Sequence, residues 1–276
     1  MKKNTLIALL WMMVFGANGQ PLPKQVSESD FTIGKTIKIE STILNENREL
    51  NIYLPASYAV DTLKTYPVIY LLDGSKEEDF IHISGIVQFG SFSWINMLPE
   101  SIIVGIGNVD RERDFTDPTK NERDQKDFPT SGESKNFIQF LQKELQPFIE
   151  SNFRTENEKT IIGQSLGGLL ATEILFKNPE LFDHFIIVSP SLWWNDEAML
   201  DDEPLNYQTV KSIYITVGKE GEIMERTAKE LYNKLDSLNK GNTKIYFEFL
   251  ADKTHADALH QAVYNAFERI FKIAEN

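Results

Sequence analysis

Six short runs of apolar and β-branched residues recur along this 276-residue chain, and they constrain the fold more than any other feature. The runs are 66–72, 101–106, 160–162, 185–188, 213–217 and 245–250. Most positions in each run are apolar or β-branched without alternation, which is typical of strands covered on both faces in a parallel sheet. Stretches between and after them, at 134–151, 225–238 and 256–273, have apolar residues at helical spacing. This alternation predicts an α/β fold with a mostly parallel central sheet and helices on both faces.

The chain before the first run has a different pattern. Residues 36–44 and 50–54 alternate apolar or β-branched residues with polar ones, and Asn45, Glu46 and Asn47 between them favour a turn. We therefore expect an N-terminal antiparallel hairpin beside the parallel sheet. No internal repeat or low-complexity linker interrupts the rest, so residues 20–276 are predicted to form a single domain.

Residues 1–19 have the order of a secretory signal peptide. Lys2 and Lys3 are followed by an apolar run at 6–15 and by the small residues Ala17 and Gly19. A membrane anchor is the alternative, but it needs about 20 apolar residues, and this run is shorter. We predict cleavage near Gly19 and a periplasmic or secreted location. Since the chain has no Cys, a lipid-bearing cysteine at the cleavage site, disulfides and Cys-ligated zinc are excluded.

The charge of the chain limits its partners. Its formal net charge is −13, and loss of Lys2 and Lys3 with the signal peptide would lower it to −15. Nucleic acids and anionic lipid surfaces need positive patches on the protein, so we expect neither as a partner. Stable membrane insertion is not expected, and the sequence does not indicate an oligomeric state.

One five-residue segment, 163–167, has the sequence Gly-Gln-Ser-Leu-Gly. It matches a pattern in which a serine sits on a sharp turn from strand to helix, because glycines allow the tight turn and the close approach of the helix. The apolar run 160–162 precedes the segment and helix formers at 169–176 follow it, as this pattern requires. Ser165 is therefore the predicted nucleophile.

A serine hydroxyl needs a base that accepts its proton, and in folds with this turn the chain order is serine, acid, histidine. Of the four histidines, His82 precedes Ser165, and His184 precedes the strand after which the acid is expected. His255 follows the last predicted strand, where a loop can fold it over the serine. His260 lies in the predicted final helix, where a surface or packing role is favoured. We predict His255 as the base.

The acid is expected in the loop after the run 213–217, which offers Glu220 and Glu222. Glu220 is nearer the strand end and is our first choice, with Glu222 and the less favoured Asp196 as alternatives. A developing oxyanion needs backbone donors, usually the N–H after the nucleophile and one from the loop after an earlier strand. Leu166 and Ser75 are the predicted donors.

Several further segments resemble those of a known family. They are 70–74, 105–108, 110–111, 113–116, 163–168, 189–195 and 252–255. From about residue 30 onward the chain resembles the bacterial esterase family of α/β hydrolases, which includes siderophore (enterobactin-type), feruloyl, acetyl-xylan and esterase D-like enzymes and mycolyltransferases. The resemblance implies the α/β-hydrolase fold, with a substrate that is a small-molecule or saccharide-linked ester.

The resemblance also implies which residues contact substrate. The segments 110–114 and 189–195 look most like those of siderophore esterases, in which such residues line the substrate pocket. Arg111 and Trp193 or Trp194 would then contact substrate. Alternatively, the tryptophans lie in the core and the arginines pair with neighbouring aspartates. The long irregular segment 108–134 that contains Arg111 is itself expected to be functional, because it follows a strand end.

One departure from the family concerns the acid. Many members have it three residues after the equivalent of Gly218, where this chain has Gly221. Either Glu220 or Glu222 substitutes for it, or the enzyme works as a Ser-His dyad. We expect a secreted serine carboxylic-ester hydrolase that forms an acyl-enzyme on Ser165 and needs no metal or organic cofactor. An acyltransferase with the same triad, or a catalytically idle binding protein, are the alternatives.

Overall fold

The computed structural model describes residues 22–272, so the predicted signal peptide at 1–19 lies outside the described residues. The chain divides into a short N-terminal unit that ends at Thr32 and a second unit that begins at Ile33. The described part of the first unit, 22–32, is exposed and has neither helix nor strand. The second unit contains all the elements described below.

Eight strands form one sheet in the spatial order β1-β2-β4-β3-β5-β6-β7-β8. The strand β1 pairs antiparallel with β2, and β2 pairs antiparallel with β4, whereas the strands from β3 to β8 pair in parallel. The strands are β1 (Lys35–Ser41), β2 (Glu46–Tyr53), β3 (Tyr66–Leu71), β4 (Ile102–Ile106), β5 (Thr155–Gln164), β6 (His184–Val188), β7 (Lys211–Gly218) and β8 (Thr243–Leu250). The predicted α/β class, the N-terminal hairpin and the parallel sheet are confirmed.

Helices cover both faces of this sheet. They are α1 (Phe80–Gly90), α2 (Arg111–Phe115), α3 (Glu122–Asp127), α4 (Ser134–Phe140), α5 (Gln146–Asn152), α6 (Leu166–Lys177), α7 (Trp194–Asp201), α8 (Glu222–Ser237) and α9 (Ala258–Ile270). In the central strand β3, Val68 and Tyr70 belong to the core beneath α4, α5, α6 and α8, while Ile69 and Leu71 belong to the core beneath α1 and α9. Burial on both faces explains why the sequence of β3 is apolar without alternation.

Three stretches differ from the sequence prediction. The hairpin turn predicted at 45–47 lies at 42–45, and Glu46 and Asn47 begin β2. The helix predicted at 134–151 is divided into α4 and α5 by a π-helical turn at Leu141–Leu145, just before Pro147. Proline lacks the N–H that a regular helix would use there. The segment predicted as irregular contains the short helices α2 and α3, whose first turns are capped by the side chains of Asp110 and Asn121.

The sheet topology places the chemistry at one edge. Because β3 and β5 to β8 run in parallel, the loops that follow them meet at the carboxyl edge of the sheet. Ser165 follows β5, Glu220 follows β7, and His255 follows β8. Within residues 22–272, no helix is both long enough and apolar enough to cross a membrane.

Candidate active site

Ser165 is the single residue between the end of β5 and the start of α6. Its backbone has φ 59° and ψ −121°, a conformation that is unfavourable for a residue with a side chain. Three hydrogen bonds hold it: the Ser165 N–H donates to Val188 O at 3.1 Å, and its carbonyl accepts from the N–H groups of Leu169 at 2.9 Å and Ser191 at 3.0 Å. The strained turn points the side chain away from the strand and above the sheet edge.

Glycines permit this turn. A Cβ at position 163 would collide with the Gly167 carbonyl, and a Cβ at position 168 would lie 3.0 Å from Pro190 Cα and from Val188 O. The first turn of α6 can therefore approach both its own strand and the segment after β6 only because these positions lack side chains. This is the close approach that the 163–167 motif predicts.

His255 lies in the turn after β8, and its Nδ1 is 2.6 Å from Glu220 Oε2. The Gln164 amide donates to the His255 carbonyl at 2.6 Å, which ties the histidine loop to the residue before Ser165. The Lys219 N–H donates to Lys253 O at 2.7 Å and fixes the same loop to the end of β7. The Glu220 side chain is 2% exposed and that of His255 is 48% exposed, so a buried carboxylate supports an imidazole that solvent and substrate can reach.

The second oxygen of Glu220 is also occupied. Its Oε1 accepts a hydrogen bond from Ser189 Oγ at 2.5 Å and one from the Gly218 N–H at 2.8 Å. Burial acts to raise the pKa of Glu220, but the hydrogen bonds from His255, Ser189 and Gly218 outweigh it and hold this pKa below its ordinary value. The group is therefore an anion at neutral pH, as the acid partner of a histidine must be.

The alternatives that the sequence left open lie elsewhere. Glu222 is the first residue of α8 and faces a cavity beside the site. Asp196 accepts a hydrogen bond from the Asn121 amide at 2.6 Å. His260 pairs with Asp79 at 3.0 Å, and its ring stacks on His82. The structure therefore brings Glu220 and His255 together; their catalytic role stays a prediction.

The Ser165 hydroxyl is 3.2 Å from Ser191 Oγ. Among the side-chain hydrogen bonds of residues 22–272, none joins Ser165 Oγ to His255. Catalytic hydrogen bonds are often long or unformed in a protein without substrate and shorten in the complex, so the geometry is compatible with His255 as the base.

The predicted oxyanion donors are the N–H groups of Leu166, directly after Ser165, and of Ser75, in the loop after β3. The Leu166 N–H has no partner within its own helix, because it is in the first turn of α6. Ser75 follows Gly74, whose N–H is already used by Ile106 O at 3.0 Å. The Ser75 carbonyl accepts from the N–H of Glu78 at 3.1 Å, which fixes the loop after β3. The roles of both N–H groups remain predictions.

Arg111 forms a bidentate pair with Asp73, with Nε to Oδ1 at 2.7 Å and a terminal nitrogen to Oδ2 at 2.8 Å. The same terminal nitrogen donates to the Gln164 carbonyl at 3.2 Å. Asp73 is thus the partner of Arg111, whereas Asp114 pairs with Arg113 and Arg48. Arg111 connects the loop after β3 to the residue before Ser165 and is about one-third exposed, and its contact with substrate stays a prediction.

The two tryptophans differ in their surroundings. Trp194 is 1% exposed, and its indole N–H donates to Asp117 O at 3.0 Å. The predicted substrate contact of Trp194 is therefore wrong, because its ring is a core group whose one polar atom already has a partner. Trp193 is half-buried and faces the cavity, so it is the tryptophan that can contact a ligand.

This cavity has a volume of about 1040 Å³, and Glu220 and Trp193 are among the residues that line it. Its lining comes from α3, the start of α7 and the start of α8, and consists of Asn121, Arg123, Asp124, Asp127, Phe128, Trp193, Asp196, Glu197, Glu220, Gly221, Glu222, Ile223 and Met224. Asn195, Asp196 and Glu197 are three consecutive residues with left-handed backbone. Sequence reasoning missed the α3 contribution; the capping residue Asn121 was the available signal.

We found no metal site in the described part of the chain: no three His, Cys, Asp or Glu side chains are arranged to hold an ion. The mostly parallel sheet, with Ser165 on the sharp turn from β5 to α6, defines the class as a serine hydrolase with the α/β-hydrolase fold.

Comparison with known proteins gives the family. Residues 41–261 match the model of the family described as "Putative esterase", and the chain belongs to that family. The chain is 28% identical over 266 residues to ferri-bacillibactin esterase BesA of Bacillus subtilis, an alignment that covers 86% of this chain and 89% of that protein. The chain is a serine ester hydrolase.

Solved structures agree. The BES protein from Bacillus cereus has a TM-score of 0.79 and 29% identity, covering 92% of this chain and 100% of that one. An IroE-like serine hydrolase from Shewanella oneidensis has a TM-score of 0.76 and 28% identity, covering 86% of this chain and 80% of that one. The resemblance inferred from the sequence segments is confirmed.

Proposed function

We propose that this protein hydrolyses a carboxylic ester through an acyl-enzyme on Ser165, with His255 as general base and Glu220 as its acid partner. The observation that carries the proposal is the 2.6 Å pair between His255 Nδ1 and Glu220 Oε2, on a loop tied to the residue before Ser165. A carboxylate on Nδ1 keeps the proton there and leaves Nε2 free to accept the serine proton.

The reaction then follows two displacements. Ser165 Oγ attacks the ester carbonyl while His255 Nε2 takes its proton, and the N–H groups of Leu166 and Ser75 stabilise the oxyanion. The imidazolium returns the proton to the departing alcohol oxygen, which leaves an ester on Ser165. Water attacks this ester with the same base, and the carboxylic acid is released.

The test compares hydrolysis of p-nitrophenyl butyrate by the wild type and by Ser165→Ala, together with mass-spectrometric mapping of a fluorophosphonate adduct. We expect loss of nearly all hydrolysis in the variant and an adduct on the peptide that contains Ser165. Equal rates for the two proteins, or an adduct elsewhere, would refute the proposal.

For the natural substrate we propose a siderophore-type or other aromatic or sugar-linked ester. Support comes from the name of the relative BesA, a ferri-bacillibactin esterase, and from the aromatic side chains of Trp193 and Phe128 in the cavity. The lining also has six carboxylates and a single arginine, Arg123. Arg226, which is paired with Glu197, adds one further positive charge nearby. Such a cavity favours neutral or cationic esters over multiply anionic ones, so within the siderophore class it favours the esters of lower negative charge.

An ester panel tests the substrate. It contains ferric and iron-free siderophores, feruloyl sugars and acetylated xylan, with p-nitrophenyl butyrate and the anionic mono-p-nitrophenyl succinate as a matched pair. We expect kcat/KM to be lower for the succinate than for the butyrate. The difference in kcat/KM between the two esters should become smaller at high salt and in Glu222→Gln. Glu203→Gln, which changes an exposed carboxylate outside the cavity, is the control. A preference for the anionic ester would contradict the charge argument.

We also propose that the enzyme works in the periplasm or outside the cell, on the pattern of residues 1–19. Sequencing the N-terminus of the protein recovered from the extracytoplasmic fraction would test this. An intact Met1 on cytoplasmic protein would contradict it.

A further inference from the structure

The three residues after β6, Ser189, Pro190 and Ser191, lie between the nucleophile and the acid. Both serine side chains are buried, and both hydroxyls point at members of the Ser-His-Glu arrangement rather than at solvent. Gly168 leaves room for the segment under the first turn of α6.

Ser189 acts on the acid. Its backbone has φ 45°, a left-handed conformation, and its N–H donates to Thr216 O at 2.7 Å, which extends the pairing of β6 with β7. This geometry directs Ser189 Oγ to Glu220 Oε1 at 2.5 Å. An ionised carboxylate only accepts hydrogen bonds, so the hydroxyl is the donor. With the Gly218 N–H on the same oxygen, Oε1 is held twice, and Oε2 is left facing His255.

Ser191 acts on the nucleophile. Its N–H donates to the Ser165 carbonyl at 3.0 Å, and the two hydroxyl oxygens are 3.2 Å apart. In the proposed reaction the Ser165 proton passes to His255, so the proton between the two serines must come from Ser191. That donor points at the oxygen on which negative charge develops as the Ser165 proton leaves.

We propose that Ser189 and Ser191 are positioning residues that hold the two ends of the triad: Ser189 fixes the carboxylate of Glu220, and Ser191 orients the hydroxyl of Ser165. This inference rests on the proposed function. It explains how one short segment sets the relative placement of acid and nucleophile: hydrogen bonds join it to Thr216 in β7 and to Ser165 in the turn between β5 and α6.

For Ser189→Ala, we expect kcat to fall about tenfold with KM changed less than about twofold, because one charge-assisted hydrogen bond to Glu220 is lost. Without this hydrogen bond, the negative charge of Glu220 stabilises the protonated form of His255 more strongly. The acidic limb of the kcat–pH profile therefore moves to higher pH, which a merely structural role would not cause.

For Ser191→Ala, we expect the rate constant for fluorophosphonate labelling of Ser165 to fall about five- to tenfold, with KM again little changed. Ser191→Thr and Ser191→Val have nearly the same volume, so their difference isolates the hydroxyl from packing. The threonine variant should label faster than the valine variant by a similar factor.

Ser84→Ala is the matched control, because Ser84 is equally buried and its hydroxyl has no hydrogen-bond partner among the described residues. It should keep wild-type kcat and labelling. Two outcomes would overturn the positioning role while leaving the proposed function intact, provided that Ser165→Ala is inactive. One is a wild-type kcat in both Ser189→Ala and Ser191→Ala; the other is faster labelling of Ser165 in Ser191→Ala than in the wild type. An active Ser165→Ala overturns the proposed function and this inference with it.

Discussion

Replacing Glu220 with Gln tests the acid of the proposed triad. The carboxylate accepts from the His255 side on Oε2 and from Gly218 and Ser189 on Oε1. An amide must turn its NH₂ toward one of these sides. The Gly218 N–H is a fixed backbone donor, whereas an imidazole can change tautomer. The amide will therefore face His255 with its NH₂ and force the imidazole proton onto Nε2. A protonated Nε2 cannot accept the Ser165 proton.

The size of the effect follows from the charges. Glu220 and the imidazolium that forms during reaction attract each other by about 4 kcal/mol at a charge separation of about 4 Å and an effective dielectric constant of about 20. Because the His255 side chain is 48% exposed, solvent screens part of this attraction. We expect Glu220→Gln to lose about 2 to 4 kcal/mol of transition-state stabilisation, or roughly 30- to 1000-fold in kcat.

The assay is steady-state hydrolysis of p-nitrophenyl butyrate, with Glu203→Gln as the control and the melting temperature as a check on folding. Glu203 is an exposed carboxylate of the same charge that lies outside the cavity and pairs with Lys234, so its variant should keep kcat within about threefold. If Glu220→Gln also stays within that range, the carboxylate is dispensable, and the enzyme works as a Ser-His dyad.

Two further predictions concern stability. Burial raises the pKa of Asp117 to about 6, and the Glu173 carboxylate adds to the rise. The native state therefore binds this proton more tightly than the unfolded state, and the resulting stability is lost as pH rises from about 4 to about 6. Asp117→Asn should gain up to about 3 kcal/mol relative to wild type between pH 4 and pH 7 in thermal melts, and a difference independent of pH would contradict this. Gly163→Ala should lower the melting temperature by about 8 °C, which corresponds to about 3 kcal/mol, because its Cβ would meet the Gly167 carbonyl. Gly241→Ala is the control and should leave the melting temperature unchanged, because the space around Gly241 is open. Equal melting temperatures for the two variants would contradict the packing argument.

The sheet could be predicted from sequence because strands buried on both faces have apolar residues at consecutive positions. The run 213–217 lies within β7, and the run 185–188 lies within β6. The strand ends were less visible. Lys211 begins β7 with its stem buried and its ammonium on the Phe182 carbonyl, and a lysine gives no apolar signal of that environment.

Site residues could be predicted where adjacent residues in the chain identify them. They could not be predicted where a contact between distant parts of the chain determines their position. The glycines around Ser165 identify a turn from five adjacent residues, and chain order with elimination leads to His255. The choice between Glu220 and Glu222 depends on whether the chain turns toward β8 after Gly218, and adjacent residues do not encode that. The burial of Trp194 beside the exposed face of Trp193 depends on Asp117, which is far away in the sequence.

The geometry after β7 supports Glu220 as the proposed acid, although the resemblance to the family implies an acid three residues after Gly218. That position is Gly221, a residue with φ 95° at the start of α8. Glu220 lies one residue closer to the end of β7, and a glutamate side chain is one methylene longer than an aspartate. A carboxylate from position 220 therefore reaches His255 Nδ1 at 2.6 Å, with Gly218 leaving room for it beside the Lys253 carbonyl. The chemistry requires the carboxylate at one point in space and not at one point in the chain, so a shift along the loop can be offset by side-chain length.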